Sequence, residues 1–369
     1  MFPRIQYLEW MHGRPERVTW DLGSSDFRRA HDGVIPDRLD DLAAVRSEVP
    51  LETRIAAAYG PEIGPEQVLV TSGASLGNVL ALLATRERAE AEHPAVLVEA
   101  PTYEPLVATP QGFDTRVTRF ERPGTAGFPL RPDAVREALT PETALVIVTN
   151  RHNPTGVATD RETLAEVAEI VSAADATLLV DEVYAPFTVD PGEGTGYALG
   201  GETAAGLPDT VVTNSVTKFL GFGGLKIGWL VAHQNLVETA RSVAPHLPAV
   251  AETSRRLAGR VFANLETLAE ESRRRLRENH RLLSDFVCGR DDLVGDVPPG
   301  SSFAFLGIEG ADGDRVSEVA AERDMLIVPG RFFGHPERFR ISLGGEPPEM
   351  AGGLDRFEAV LEEFSASDE

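Results

Sequence analysis

Two lysines, Lys218 and Lys226, stand close together in a chain whose other 33 basic residues, of 35, are all arginine. Lysine can do one thing arginine cannot: when desolvated or crowded by another cation it loses its proton, and the neutral primary amine condenses with an aldehyde. A compositional account competes with the chemical one, since a GC-biased genome would also replace lysine by arginine and leave two by chance. The neighbouring residues have to decide. Lys218 closes Ser215-Val216-Thr217-Lys218 and is followed by Gly221, Gly224, Lys226 and Gly228. That places hydroxyls, amines and glycines within one short stretch.

Four further segments carry chemistry. In Thr71-Ser72-Gly73-Ala74-Ser75 the residues Gly73, Ala74 and Ser75 lie between an apolar run and a helical pattern. Their amide groups would form an anion site at a helix N-terminus, or else simply make a turn. Asp181, in Asp181-Glu182-Val183-Tyr184, ends an apolar run. A carboxylate at the carboxyl edge of a parallel sheet stands where ligands bind. Pro101-Thr102-Tyr103 and Asn150-Arg151-His152-Asn153-Pro154-Thr155-Gly156 follow other apolar runs, the second being also a good turn.

The elements that must hold these residues can be read from hydrophobic pattern. Apolar runs at Gln67 to Thr71, Ala95 to Glu99, Ala144 to Thr149, Thr177 to Asp181, Thr210 to Asn214 and Ile227 to Ala232 predict buried strands of a mainly parallel sheet. Helical spacing recurs over Ser75 to Glu92, Arg131 to Leu139 and Asp160 to Ala174, the last opened by Thr159 and Asp160 as caps. From Ala251 to Val287 a stripe of Leu257, Val261, Leu265, Leu268, Leu276, Leu283 and Val287 predicts a long helix or helix pair. Beyond Cys288 short strands at Ser302 to Ile308, Met325 to Val328 and Phe339 to Leu343 alternate with helical stretches, as in a small α+β unit. The expected fold class is α/β, with a large domain over 36–284 and a smaller domain from 1–35 and 285–369. The Gly-rich, acidic stretch Pro191 to Gly206 reads as an exposed excursion.

Taken in order, the five segments resemble the class I/II aminotransferases, pyridoxal-phosphate enzymes of fold type I such as aspartate aminotransferase, from about Asp21 to Leu343. The resemblance implies that Lys218 holds pyridoxal 5'-phosphate as an internal aldimine, with a lowered pKa, and moves the substrate α-proton. Asp181 would pair with the pyridinium nitrogen, Tyr184 and Asn153 would bond the phenolic oxygen, and Tyr103 would stack on the ring. Gly73, Ala74, Ser75, Ser215, Thr217 and Lys226 would serve the phosphate, Lys226 standing where arginine is usual, with a point charge in place of a fork. Arg340, in Phe339-Arg340-Ile341-Ser342-Leu343, would grip the substrate α-carboxylate, with Gly23 and Asn153 beside it; Arg338 is the rival if the register shifts. His152 is assigned a structural or solvent role. The family's tyrosine that reaches the partner subunit's phosphate has no match between His31 and Pro50.

The implied activity is transfer of an amino group between an amino acid and a 2-oxo acid. A pyridoxal-phosphate lyase, cyclase or decarboxylase, sharing the first steps, is the alternative, and a homodimer is the family expectation. Composition narrows the field further. A formal net charge of −23, from 35 basic against 58 acidic residues, argues against nucleic acid or anionic membrane as partner. It fits a salt-adapted surface or simply an acidic protein. No apolar run is long enough for a leader or membrane span, so a cytoplasmic location is expected. The lone Cys288 excludes an intramolecular disulfide and a multi-cysteine metal site, and reads as a buried, inert thiol.

Overall fold

The computed structural model describes residues 2–27, 49–189 and 197–365. Strand β1 (Trp20–Asp21) belongs to an N-terminal arm. The central sheet is built from β2 (Val68–Thr71), β3 (Ala95–Ala100), β4 (Arg116–Glu121), β5 (Thr143–Thr149), β6 (Thr177–Asp181), β7 (Thr210–Ser215) and β8 (Gly228–Val231). Its order is β2-β8-β7-β6-β5-β3-β4, parallel throughout except that β8 runs against both neighbours. All seven residues of β5 are buried, which is why the apolar runs show no polar alternation: helices cover both faces.

Register brings the chemistry to one edge. Thr149 pairs with Asp181 and Asp181 with Thr213. Because β8 is antiparallel, its first residue, Gly228, lies opposite the last residues of both neighbours, Thr71 and Ser215. Four strand ends from distant parts of the sequence thus meet along the carboxyl edge.

Helices Ala74–Arg88 and Gln234–Val243 pack on one face, around Leu80, Leu230 and Val237. Arg161–Ser172 packs on the other, around Leu164 and Val167. Asp160 caps the latter by accepting the Thr163 N–H at 2.7 Å. The long stripe resolves into a pair, Glu252–Ala263 and Leu265–Cys288. Leu265, Leu268 and Leu276 enter the core of the central sheet, whereas Leu283 and Val287 enter a separate apolar cluster with Phe339, Ile341 and Phe357. That second cluster lies against β9 (Leu293–Val294), β10 (Phe303–Ile308), β11 (Met325–Leu326), β12 (Val328–Pro329) and β13 (Arg338–Ser342). Four of these form the sheet β12-β13-β10-β9, while β11 pairs with β1.

Three readings of the sequence are corrected. Strand β4 escaped notice because Arg116, Arg119 and Glu121 interrupt its pattern; it is an edge strand, where charges guard the open ladder. The excursion read at Pro191 to Gly206 lies partly outside the described residues, but residues 197–205 are largely buried. Tyr197, Leu199, Ala204 and Ala205 are buried, and Tyr197 stacks on Tyr59 at 4.7 Å. Buried Glu182 draws this segment in, accepting from the Thr203 hydroxyl at 2.8 Å and the Ala204 N–H at 2.6 Å. Cys288 is exposed, because Leu283 and Val287 take the inward positions and the next residue turns away.

Candidate active site

A cavity of about 390 Å³ opens at the carboxyl edge, lined by Gly73, Ala74, Ser75, Tyr103, Asn153, Asp181, Tyr184, Ser215, Thr217, Lys218 and Lys226. A larger cleft, of about 740 Å³, lies elsewhere, beside Arg151, Asp296 and Arg338, and takes in none of these. Chemistry, not size, singles out the smaller one.

Gly73 sits at φ +101° as the N-cap of the helix Ala74–Arg88, a conformation that favours glycine. It carries no side chain to occupy the first amide groups of that helix. Opposite, a Cβ on Gly228 would stand 2.4 Å from the Gly73 carbonyl carbon and 2.5 Å from the Ala74 nitrogen. The turn and strand β8 therefore touch through backbone, and the glycine is needed for the close approach. With the Ser215 and Thr217 hydroxyls and the exposed amine of Lys226, this is a cradle of donors suited to a phosphate.

Asp181 is buried at the end of β6. Asn78 Nδ2 donates to its Oδ2 at 2.9 Å and the Val183 N–H to its Oδ1 at 3.2 Å. The Thr213 hydroxyl donates to Asn78 Oδ1 at 2.6 Å, which turns the amide so that its NH2 meets the carboxylate. Burial raises the Asp181 pKa, against the pull of Asn78, the Val183 amide and Lys218. Such a carboxylate is held in place for a cationic partner.

Lys218 is half-buried, with Nζ 5.7 Å from the centre of the Tyr184 ring. Burial alone would lower its pKa, but Tyr184, Asp26, Tyr7 and Tyr103 outweigh it and the net direction is upward. The lowered pKa expected from the sequence is thus not a property of the protein's own surroundings. Desolvation acts in the expected direction but is outweighed by these four neighbours.

Arg340 is completely buried. It donates to Asn153 Oδ1 at 2.7 Å, to the Gly23 carbonyl at 3.0 Å and to Tyr7 Oη at 3.2 Å, while its Nε meets no acceptor. No carboxylate pairs with it among the described residues. A buried cation with an unused donor, joined to the cavity through Asn153 and Tyr7, is chemically suited to a carboxylate ligand. Arg338, two residues earlier, donates to the Phe305 carbonyl at 2.9 Å and stacks over Phe128 and Phe305. It faces the larger cleft. His152 is also fully buried, bonded to Thr155 Oγ1 and the Pro101 carbonyl. Burial first, and Arg122 second, hold its pKa well below the usual histidine value, so it stays neutral and structural.

Sequence reasoning missed Tyr7, Leu8 and Met11, which line the cavity from the helix Gln6–Met11. The apolar spacing of Tyr7, Trp10 and Met11 was the available signal. It also missed Asn78, a polar residue one turn into the helix that opens at Gly73, and Ser25, whose Oγ lies 2.5 Å from Tyr184 Oη. The partner-reaching tyrosine sought between His31 and Pro50 concerns residues almost all outside those described.

The model of the family described as aminotransferase class I and II matches residues 45–357. The chain belongs to the class I and II aminotransferases. It is a pyridoxal-phosphate-dependent aminotransferase, α/β in fold, with the mainly parallel sheet of that family. Capreomycidine synthase of Streptomyces vinaceus is 27% identical over 95% of this chain and 92% of its own length. A probable N-succinyldiaminopimelate aminotransferase of Mycobacterium tuberculosis is 34% identical over 55% of this chain and 53% of its own. A pyridoxal-phosphate-dependent aminotransferase from Streptococcus suis shares the fold, with a TM-score of 0.81 at 21% identity over 98% of both chains.

Proposed function

We propose that this aminotransferase carries its cofactor on Lys218 and moves an amino group between an amino acid and a 2-oxo acid within the cavity at the sheet's carboxyl edge. The observation that carries this reading is the convergence of Lys218, Asp181, Tyr184 and the donor cradle at Gly73 on one cavity, beside a buried arginine without an acidic partner among the described residues. When bound, pyridoxal phosphate supplies an aldehyde for imine exchange and a ring that accepts electrons from the substrate α-carbon. Gly73, Ala74, Ser75, Ser215, Thr217 and Lys226 hold its phosphate. Asp181, fixed by Asn78, keeps the ring nitrogen protonated. Tyr184 and Asn153 donate to the phenolic oxygen, and Tyr103 covers the ring.

Arg340, with Gly23 and Asn153 beside it, orients the substrate carboxylate so that the α C–H bond stands ready to break. Nζ of Lys218, once free, would take the α-proton and deliver it to the carbon that had been the cofactor's aldehyde.

The same proposal includes a homodimer, a cytoplasmic location and division into 36–284 against 1–35 with 285–369. The two apolar clusters met by the helix Leu265–Cys288 support that division. Among the described residues no helix is long and apolar enough to cross a membrane.

The test is a half-reaction. Holoenzyme incubated with single amino donors should accumulate pyridoxamine phosphate with one oxo acid per site. Release of ammonia or carbon dioxide without it would favour the lyase, cyclase or decarboxylase reading, which similarity to a synthase over nearly the whole chain keeps in view.

A further inference from the structure

We infer that Ser25 is a positioning residue that sets the donor strength of Tyr184 toward the cofactor, an assignment that rests on the proposed role of Tyr184. The two hydroxyls lie 2.5 Å apart and both are buried. Among the described residues each is the other's only side-chain hydrogen-bond partner.

Ser25 is held from both sides. The Leu22 carbonyl, three residues before it, accepts from the Ser342 N–H at 2.7 Å, and Phe27, two residues after it, donates its N–H to the Lys218 carbonyl at 3.0 Å. The Phe27 ring packs 4.8 Å from Phe187. A Cβ on Gly344 would come within 2.2 Å of the Asp26 carbonyl oxygen and 3.0 Å of that of Ser24. The arm therefore lies directly on backbone here, beside Tyr184.

A hydroxyl gives one proton and accepts at two lone pairs. When Tyr184 gives its proton to the cofactor's phenolic oxygen, Ser25 can satisfy its own buried proton only by donating to Tyr184 Oη. The two bonds then run in one direction, from Ser25 through Tyr184 to the phenolic oxygen, and each polarises the next. A stronger donor there stabilises negative charge on that oxygen and so favours loss of the proton from the neighbouring nitrogen on Lys218. Asp26, Tyr7, Tyr103 and Asp181 also face Lys218, and Arg340 faces Tyr184. Substitution at Ser25 leaves all of these in place.

The experiment is a double-mutant cycle on holoenzyme, read from the pH titration of its visible absorbance, with cofactor affinity measured in parallel. Ser25→Ala should raise the apparent pKa by about half a unit, and Ser25→Thr, which keeps the hydroxyl, should restore it. Tyr184→Phe should raise it by about one unit or more. In the Tyr184→Phe background Ser25→Ala should add no further shift. If Tyr184→Phe moves the pKa but Ser25→Ala does not, the inference fails while the role of Tyr184 stands. An equal Ser25→Ala shift in both backgrounds overturns it too, since the effect would not pass through the phenol. No shift in Tyr184→Phe overturns the role of Tyr184 and this inference with it.

Discussion

Arg340→Gln isolates the carboxylate site. The guanidinium is fully buried, three of its five N–H groups go to neutral acceptors, Asn153, Gly23 and Tyr7, and two, one of them on Nε, meet no acceptor among the described residues. A substrate carboxylate would therefore be its only anionic partner among groups placed so far. Two charge-assisted hydrogen bonds to that carboxylate are worth about 1.5–3 kcal/mol each. Their loss, about 3–6 kcal/mol, corresponds to a fall in kcat/KM of roughly 10²- to 10⁴-fold. Glutamine keeps one shorter amide donor, so the lower half of that range is expected. Stability should behave differently, because the substitution also removes an ion buried without a counterion among the described residues, a costly arrangement. The melting temperature should fall by no more than a few degrees, and the cofactor absorbance should persist. Steady-state kinetics, an absorbance spectrum and a thermal scan suffice. Arg338→Gln is the control, expected within about threefold of wild type because its guanidinium serves the Phe305 carbonyl and the other cleft. A kcat/KM loss under tenfold for Arg340→Gln, or an equal loss for Arg338→Gln, would refute the reasoning.

Gly228→Ala puts a methyl 2.4 Å from the Gly73 carbonyl carbon and 2.8 Å from the Asn214 carbonyl oxygen, so strand and turn must part. At about 1–3 kcal/mol for overpacking, cofactor dissociation should rise roughly 5- to 150-fold, measured by fluorescence titration; an unchanged constant would show that the contact does not shape the cradle. Buried Glu182 has its carboxyl pushed up to about 8, first by burial, against hydrogen bonds from Ala204 and Thr203. The folded chain thus binds this proton more tightly than the unfolded one. The stabilisation is complete below the unfolded value near 4.5 and is lost as pH rises to about 8. Denaturant titrations of cofactor-free protein from pH 5 to 9 should lose a few kcal/mol, and Glu182→Gln should flatten that slope; parallel slopes would contradict it.

How far the sequence carried the account depends on whether each contact is local. Asp181, Ser215 and Gly73 all sit where an apolar run stops, and in a parallel sheet the stopping points share an edge, so their company could be read from hydrophobic pattern. Tyr7 meeting Arg340, and Ser25 meeting Tyr184, could not. Each joins segments far apart in sequence through an N-terminal arm whose short helix carries a weak pattern. The inward course of Tyr197 to Ala205 was hidden for another reason: Glu182 needed donors, and nothing in that segment's own composition announces that it supplies them. Asn78 lay within plain helical spacing, its purpose fixed only when Thr213 on β7 turned its amide toward Asp181.

The claim that most depends on Lys218 is reached by borohydride reduction of holoenzyme followed by peptide mass mapping, applied to wild type and Lys218→Ala. The wild-type chain should carry one reduced cofactor on the peptide containing Lys218 and none on Lys226. The variant should carry none and should lose more than about 10³-fold in turnover. An adduct on Lys226 in the wild type, or a variant that keeps both adduct and turnover, would contradict the assignment.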